Sequence, residues 1–208
     1  MQQTAKPVVA AFDFDGTLTR HDTLLPFLLH VAGISKLSFK FILLFPTLTA
    51  YVLGMIRNDK AKEKVLRCFL ADMDTDTLQR HGLQFAEQKI PALLRNEAVQ
   101  RLQWHKQQGH RCVLVSASLE IYLRPWANTM GFDDVLGTRL ELLANGRISG
   151  NLQGENCFGI EKIKRLNEIL GARDSYTLYA YGDSRGDKEL LSAADFPFYK
   201  TFSNQGQH

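Results

Sequence analysis

The sequence predicts an α/β fold: a Rossmann-like parallel sheet core with an inserted helical cap and one β-hairpin. Three observations lead there. Short apolar runs alternate with longer helical patterns, the order expected of a parallel sheet whose crossovers are helices. Residues 21–90 interrupt that alternation with helix-like sequence and no strand run. Finally, "TRLELLANGRISGNL" places Asn145-Gly146 between two strand-like runs, a two-residue hairpin signal.

The first strand is Val8 to Phe12 (VVAAF), whose unbroken apolar character suits burial on both faces. After the helical insertion the α/β pattern resumes near residue 95. A helix over Glu97 to Gln108 is closed by Gly109, and the strand Cys112 to Val115 (CVLV) follows. Next come a helix over Leu119 to Met130 closed by Gly131, the hairpin, and a helix over Ile160 to Leu170 closed by Gly171. The strand Thr177 to Tyr181 (TLYAY) and a short last strand around Phe198 to Tyr199 complete the sheet. The predicted organisation is a discontinuous core, 1–20 plus 91–208, with a helical cap, 21–90. A cap over the carboxyl ends of parallel strands would sit where ligands bind in open α/β folds, shaping the pocket and excluding water.

Composition narrows the function classes. At 208 residues and 45% hydrophobic content the chain can bury a substantial core. Its net charge of +3, from 25 basic and 22 acidic residues spread along the chain, gives no nucleic-acid footprint. Cys68, Cys112 and Cys157 form no C-x-x-C pair, so neither a disulfide framework nor a zinc site is expected, and a reducing cytoplasm fits. The lead MQQTAKP has no apolar h-region, so no secretory signal is expected.

The chemistry gathers at "VVAAFDFDGTLTRHD". Side chains two apart on an extended chain point the same way, so Asp13 and Asp15 face one ligand while Phe12 and Phe14 face the packed side. Two carboxylates this close repel, raising one pKa, unless a cation lies between them. Mg²⁺, a hard ion bound by carboxylates together with phosphate oxygens, is the natural candidate. The bland alternative is a pair of solvated acids leading into an Asp-Gly turn.

Downstream partners decide between these. "FDFDGTLT", "VLVSAS", "GIEKIKRL" and "YGDSRGDKEL" occur in that order. With them the chain resembles the haloacid dehalogenase superfamily, in its phosphoserine-phosphatase-like branch (subfamily IB), which carries a helical cap after the first motif. The resemblance implies a phosphatase in which Asp13 is the nucleophile that becomes an aspartyl phosphate. It makes Asp15 the general acid and base, and Ser116, at the end of CVLV, a phosphate-binding hydroxyl. Lys162 matches the phosphate-binding lysine, with Lys164 the competing candidate. Asp183, Asp13 and the backbone carbonyl of Asp15 would ligate Mg²⁺, supported by Asp187. Asp15 also separates phosphoryl chemistry from dehalogenation, since halide leaves unprotonated. Transfer to an alcohol starts from the same aspartyl phosphate as hydrolysis.

Substrate choice falls on two departures. Where phosphoserine phosphatases carry a glutamate that reads the substrate ammonium, this chain has the shorter Asp22. Where they carry an asparagine just before the last aspartate, it has Gly186. Both weaken a phosphoserine assignment and leave a small phosphorylated metabolite or a lipid phosphate. Phe41 to Ile56 contains no charge and is flanked by Lys36, Lys40, Arg57, Lys60, Lys62 and Lys64. Such a segment suits an interfacial helix giving peripheral membrane contact, but runs of this length more commonly belong to a core, here cap helices packing on each other or on a second subunit. It is shorter than the roughly 20 residues of a spanning helix and is broken by Pro46. Lipid contact would resemble the bacterial phosphatidylglycerophosphate phosphatases of the same branch. A membrane-surface binding protein without turnover is the rival from another class. The sequence reading is therefore a cytoplasmic, Mg²⁺-dependent phosphomonoester hydrolase, with membrane association through the cap left open.

Overall fold

The computed structural model describes residues 6–202, with backbone alone at 35–39, 41 and 48. Its centre is a five-stranded, all-parallel sheet. Strand β1 (Val8–Phe12) lies in the middle, flanked by β2 (Arg111–Leu119) and then β3 (Asp134–Thr138) on one side. On the other side stand β6 (Thr177–Gly182) and β7 (Phe196–Tyr199). Val9 to Phe12 are buried, as the unbroken apolar run requires of a strand covered on both faces. Because the chain winds from β1 through β2 to β3 on one side and then crosses back to β6 on the other, a crevice opens beyond the carboxyl end of β1, the usual place for a ligand in an open α/β sheet.

Between β1 and β2 the chain is helical. It forms α1 (Leu24–Ala32), α2 (Ile34–Val52), α3 (Asn58–Leu70), α4 (Thr75–Gln88), the single turn α5 (Ile90–Leu93) and α6 (Asn96–Gln107). The core helices are α7 (Glu120–Met130), α8 (Ile160–Leu170) and α9 (Lys188–Ala193). A small antiparallel pair, β4 (Leu140–Leu142) and β5 (Ile148–Leu152), projects beside them. Helix α3 packs on β5, and α4 packs on α7. One apolar cluster consequently runs from Phe27, Leu66 and Phe85 to Phe14, Tyr122 and Leu123. The loop after α3 extends the hairpin: Asp72 N–H donates to Ile148 O and Ile148 N–H to Met73 O, each at 2.9 Å.

Four local expectations are corrected. Helix α2 continues through Pro46, so the proline does not break the apolar segment. Ser116 lies inside β2, not just beyond it; pairing with β3 is regular to Val115 and shifts before Leu119. The hairpin turn is closed by Gly146 N–H to Leu143 O at 2.9 Å, so Ala144 and Asn145 are its central residues and Gly146, with φ +76°, follows them. This is a longer loop than the two-residue Asn-Gly turn. Strand β3 was not expected at all, because DVLGT is short and holds a glycine.

Candidate active site

The pairing of β1 with β6 is carried one residue past the strand: Asp13 N–H donates to Tyr181 O at 2.9 Å, fixing Asp13 at the carboxyl edge of the sheet. Phe14–Leu18 then forms one wide turn closed by Thr19 N–H to Phe14 O at 3.0 Å. Phe14 anchors the turn in the core against Trp126, with ring centres 4.9 Å apart. Gly16 sits at φ +77°, and a Cβ there would stand 2.2 Å from Asp183 Oδ2. Glycine is thus required for the backbone conformation and for the approach of Asp183. Asp13 and Asp15 line one cavity of about 510 Å³, with Ser116, Lys162 and Asp183 from the core and Asn58 and Lys62 from α3.

Lys162 is 2% exposed and joins two acids: its Nζ lies 2.5 Å from Asp13 Oδ1 and 2.5 Å from Asp187 Oδ1. The two carboxylates overcome the cost of burial and hold the ammonium protonated, its pKa raised. Burial pushes the Asp13 carboxyl up to about 7 against the pull of Lys162. Asp187 is wholly buried and fully engaged. Its Oδ2 accepts the N–H groups of Asp183 and Ser184 at 3.2 and 3.0 Å and the Ser184 hydroxyl at 2.9 Å. Lys164 is on the surface beside Glu161, 3.4 Å away.

Asp15 is held by another set. Its Oδ1 accepts the Thr23 N–H at 2.9 Å and the Thr23 hydroxyl at 2.7 Å, and its Oδ2 accepts the Ser118 hydroxyl. Tyr122 OH donates to Ser118 Oγ at 2.9 Å and lies 3.1 Å from Thr23 Oγ1, completing a buried hydroxyl cluster. Burial, then the charge of Asp22, raises the Asp15 carboxyl to about 6 despite these donors. Hydroxyls rotate and both donate and accept, so the cluster suits Asp15 with or without its proton.

The acid set fits a cation. Oxygens of Asp13, Asp183 and Asp187 lie within 4.8 Å of one another. Asp183 Oδ1 is buried without a hydrogen-bond partner, and the Asp183 pKa is raised by burial and by Asp187. Lys162 pairs with Asp13 and Asp187, whereas Asp183 feels Lys200, Lys162 and Arg95 without forming an ion pair among the described residues, and an unpartnered buried carboxylate oxygen is costly unless something positive meets it. Because both oxygens of Asp187 are already occupied, Asp13 and Asp183 are the side chains free to ligate, while Asp187 holds the loop and Lys162.

The remaining sequence candidates divide. Ser116 is buried on the cavity wall, its Oγ accepting the Ser118 N–H at 3.1 Å. Asp22 also lines the cavity, but its Oδ1 accepts the Leu24 N–H at 2.8 Å and so serves the start of α1. At Gly186 an added Cβ would lie 2.5 Å from the ring of Phe158, another cavity-lining residue.

Sequence reasoning missed Thr23, Ser118 and Tyr122, which hold Asp15, and the wall residues Lys62, Asn156 and Phe158. Lys62 Nζ donates to Ala117 O and, at 3.0 Å, to Asn156 Oδ1, whose amide nitrogen donates to Asn58 Oδ1 at 3.0 Å. Strand alternation is the signal that would have found Ser118, two residues after Ser116. Lys62 carried no such signal.

Comparison with known proteins agrees with this geometry. The haloacid dehalogenase-like hydrolase family model matches residues 10–192. Protein CicA of Caulobacter vibrioides is 40% identical over 197 residues, covering 95% of this chain and 87% of its own. A histidinol-phosphatase of Neisseria meningitidis is 33% identical over 124 residues, 56% of this chain and 54% of that protein. The crystal structure of a protein of unknown function from Bordetella pertussis Tohama I superposes with TM-score 0.81 at 26% identity, covering 94% of this chain and 90% of that one. A phosphoserine phosphatase, as its phospho-aspartyl intermediate analogue, shares the fold with TM-score 0.59 at 19% identity, over 91% and 84% of the two chains.

Proposed function

The chain belongs to the haloacid dehalogenase-like hydrolases, and from that membership we propose that it is a Mg²⁺-dependent phosphomonoester hydrolase working through an aspartyl phosphate. The observation that carries the reading is the division of environments: Asp13 faces Lys162 and Asp183, whereas Asp15, two residues on, is set among hydroxyls. Two carboxyls in different surroundings take different roles.

Asp13 attacks the phosphorus, and the bond from phosphorus to the alcohol oxygen breaks as Asp15 gives that oxygen its proton. A water then attacks the aspartyl phosphate and yields its proton to Asp15, freeing the Asp13 carboxylate and inorganic phosphate. Ser116 and Lys162 bind phosphoryl oxygens, and Lys162 offsets the negative charge that gathers in the transition state. A Mg²⁺ ion, when bound by Asp13, Asp183 and the Asp15 carbonyl, supplies further charge neutralisation on those oxygens. Residues 21–90 act as a cap: Thr23 orients Asp15, and Asn58 and Lys62 close the wall.

The substrate in this reading is a small phosphorylated metabolite or a lipid phosphate, a class consistent with the names of two relatives, a histidinol-phosphatase and a phosphoserine phosphatase. The Phe158 ring beside Gly186 argues against phosphoserine, because it fills the space an asparagine amide would need. Release of phosphate from p-nitrophenyl phosphate, dependent on Mg²⁺ and abolished by EDTA, is the test. Asp13→Asn is expected to lose turnover; normal turnover in that variant would remove Asp13 as nucleophile.

A further inference from the structure

We propose that the face formed by the second half of α2 and the turn after it docks onto an anionic lipid surface. Ile42, Leu43, Phe45, Val52, Leu53 and Met55 are 61–82% exposed, six large apolar side chains within 14 positions. Ile42, Phe45, Thr49 and Val52 recur at helical spacing as one stripe, while Leu44, on the other side, is buried. The polar member of the stripe, Thr49, turns its hydroxyl back to Phe45 O at 2.9 Å, so its methyl group can face outward without an unmet hydrogen bond. An exposed apolar patch of this extent marks an interaction surface.

Charge selects the partner. No acid occurs between Asp22 and Asp59, an interval that holds Lys36, Lys40 and Arg57. Across residues 23–64 Arg57 pairs with Asp59, Lys60 pairs with Glu63 and Lys62 belongs to the cavity wall, which leaves Lys36, Lys40 and Lys64 as a surplus of three positive charges in this segment. A second copy of this chain would bring the same basic border against itself, as a twofold contact requires. An anionic bilayer turns that repulsion into attraction and takes up the apolar stripe at the level of its headgroups. Among the described residues no helix is long and apolar enough to cross a membrane, so the contact lies along the surface. The face is also continuous with the cavity mouth: Tyr51 lines the cavity, and its hydroxyl accepts from the Asn58 amide at 3.0 Å.

The test is flotation of the full chain with vesicles of phosphatidylcholine alone or with about one-third phosphatidylglycerol. The wild type is expected to float with the anionic vesicles at least about tenfold more than with neutral ones, and to be released by high salt. Phe45→Glu with Leu53→Glu should abolish flotation without lowering the melting temperature, because both positions are exposed; Ile42→Ser with Val52→Ser is a second, uncharged variant. Absence of flotation, flotation unchanged in both variants, or a wild-type dimer that the variants convert to monomers without any lipid binding would overturn the proposal. Turnover of p-nitrophenyl phosphate by the same preparations tests the catalytic reading separately, since none of these side chains lines the cavity.

Discussion

A methyl group at Gly186 would stand 2.5 Å from the ring of Phe158, closer than carbon atoms pack. The backbone there cannot retreat easily. Gly186 N–H donates to Ser184 Oγ at 3.1 Å, and Gly186 O accepts the Gly159 N–H at 2.9 Å. Gly186→Asn is therefore expected to overpack the site and cost about 1–3 kcal/mol, measured as a lower urea midpoint. Adding Phe158→Ala should recover most of that loss, a coupling expected of residues in contact. Equal stability of Gly186→Asn and wild type would show that Phe158 yields, and would restore the case for an amide at this position.

The pair Asp13 and Asp15 is legible in the sequence because its meaning is local: an apolar run, two acids and an Asp-Gly turn. What holds Asp15 is not local. Ser118 is 103 residues away and Thr23 looks like an ordinary residue before a helix, so neither signals its role until β1 and β2 are side by side. The same reason hid Lys62, which reads as one more basic residue flanking an apolar segment. The sheet was legible where strands are buried on both faces, as in β1, β2 and β6, and illegible at β3, where five residues including a glycine carry too little pattern.

Lys62 reaches from α3 to the cavity wall, bonded to two neutral oxygens. Burial brings its pKa down to about 8 against the pull of Asp15 and Asp22. Its positive charge is complete below that pH and is lost as pH rises through it. With a phosphomonoester, KM is expected to climb above about pH 8 in the wild type, whereas Lys62→Arg, which stays charged, keeps KM flat over the same range. Lys62→Met should raise KM by about tenfold already at pH 7, as loss of a charge-assisted contact. A KM in Lys62→Met equal to that of wild type at pH 7 would remove Lys62 from substrate binding.

His105 gives the fold a separate acid sensitivity. It is fully buried, with Nε2 2.8 Å from Tyr181 OH and Nδ1 2.7 Å from His110 Nδ1. Burial, then the charge of Arg101, lowers its pKa to about 3. The unfolded chain, with an ordinary histidine near 6.5, binds the proton first. Stability from this group is complete above about pH 6.5 and falls as pH drops toward 3, by up to about 1.4 kcal/mol per pH unit. Asp13 and Asp15, whose carboxyls are raised, act in the opposite sense, so the informative quantity is the difference between proteins. Between pH 6.5 and 5 the urea midpoint of wild type is expected to fall more steeply than that of His105→Gln. Parallel curves would mean that His105 takes up a proton in the folded state.

Gly16 places the last demand on a single position. Its φ of +77° strains any side chain, and a Cβ would meet the Asp183 carboxylate at 2.2 to 2.9 Å. The two costs fall on different observables. Backbone strain in Gly16→Ala lowers stability, by about 1 kcal/mol or somewhat more. Displacement of Asp183 acts on the site instead, because that carboxylate carries the buried oxygen without a partner and lies in the acid cluster with Asp13. Turnover of Gly16→Ala is thus expected to fall far more than its stability, and the Mg²⁺ concentration for half-maximal rate to rise by about tenfold or more. A variant with reduced stability but wild-type dependence on Mg²⁺ would show that strain alone reserves this position for glycine, and that Asp183 has no part in holding the ion.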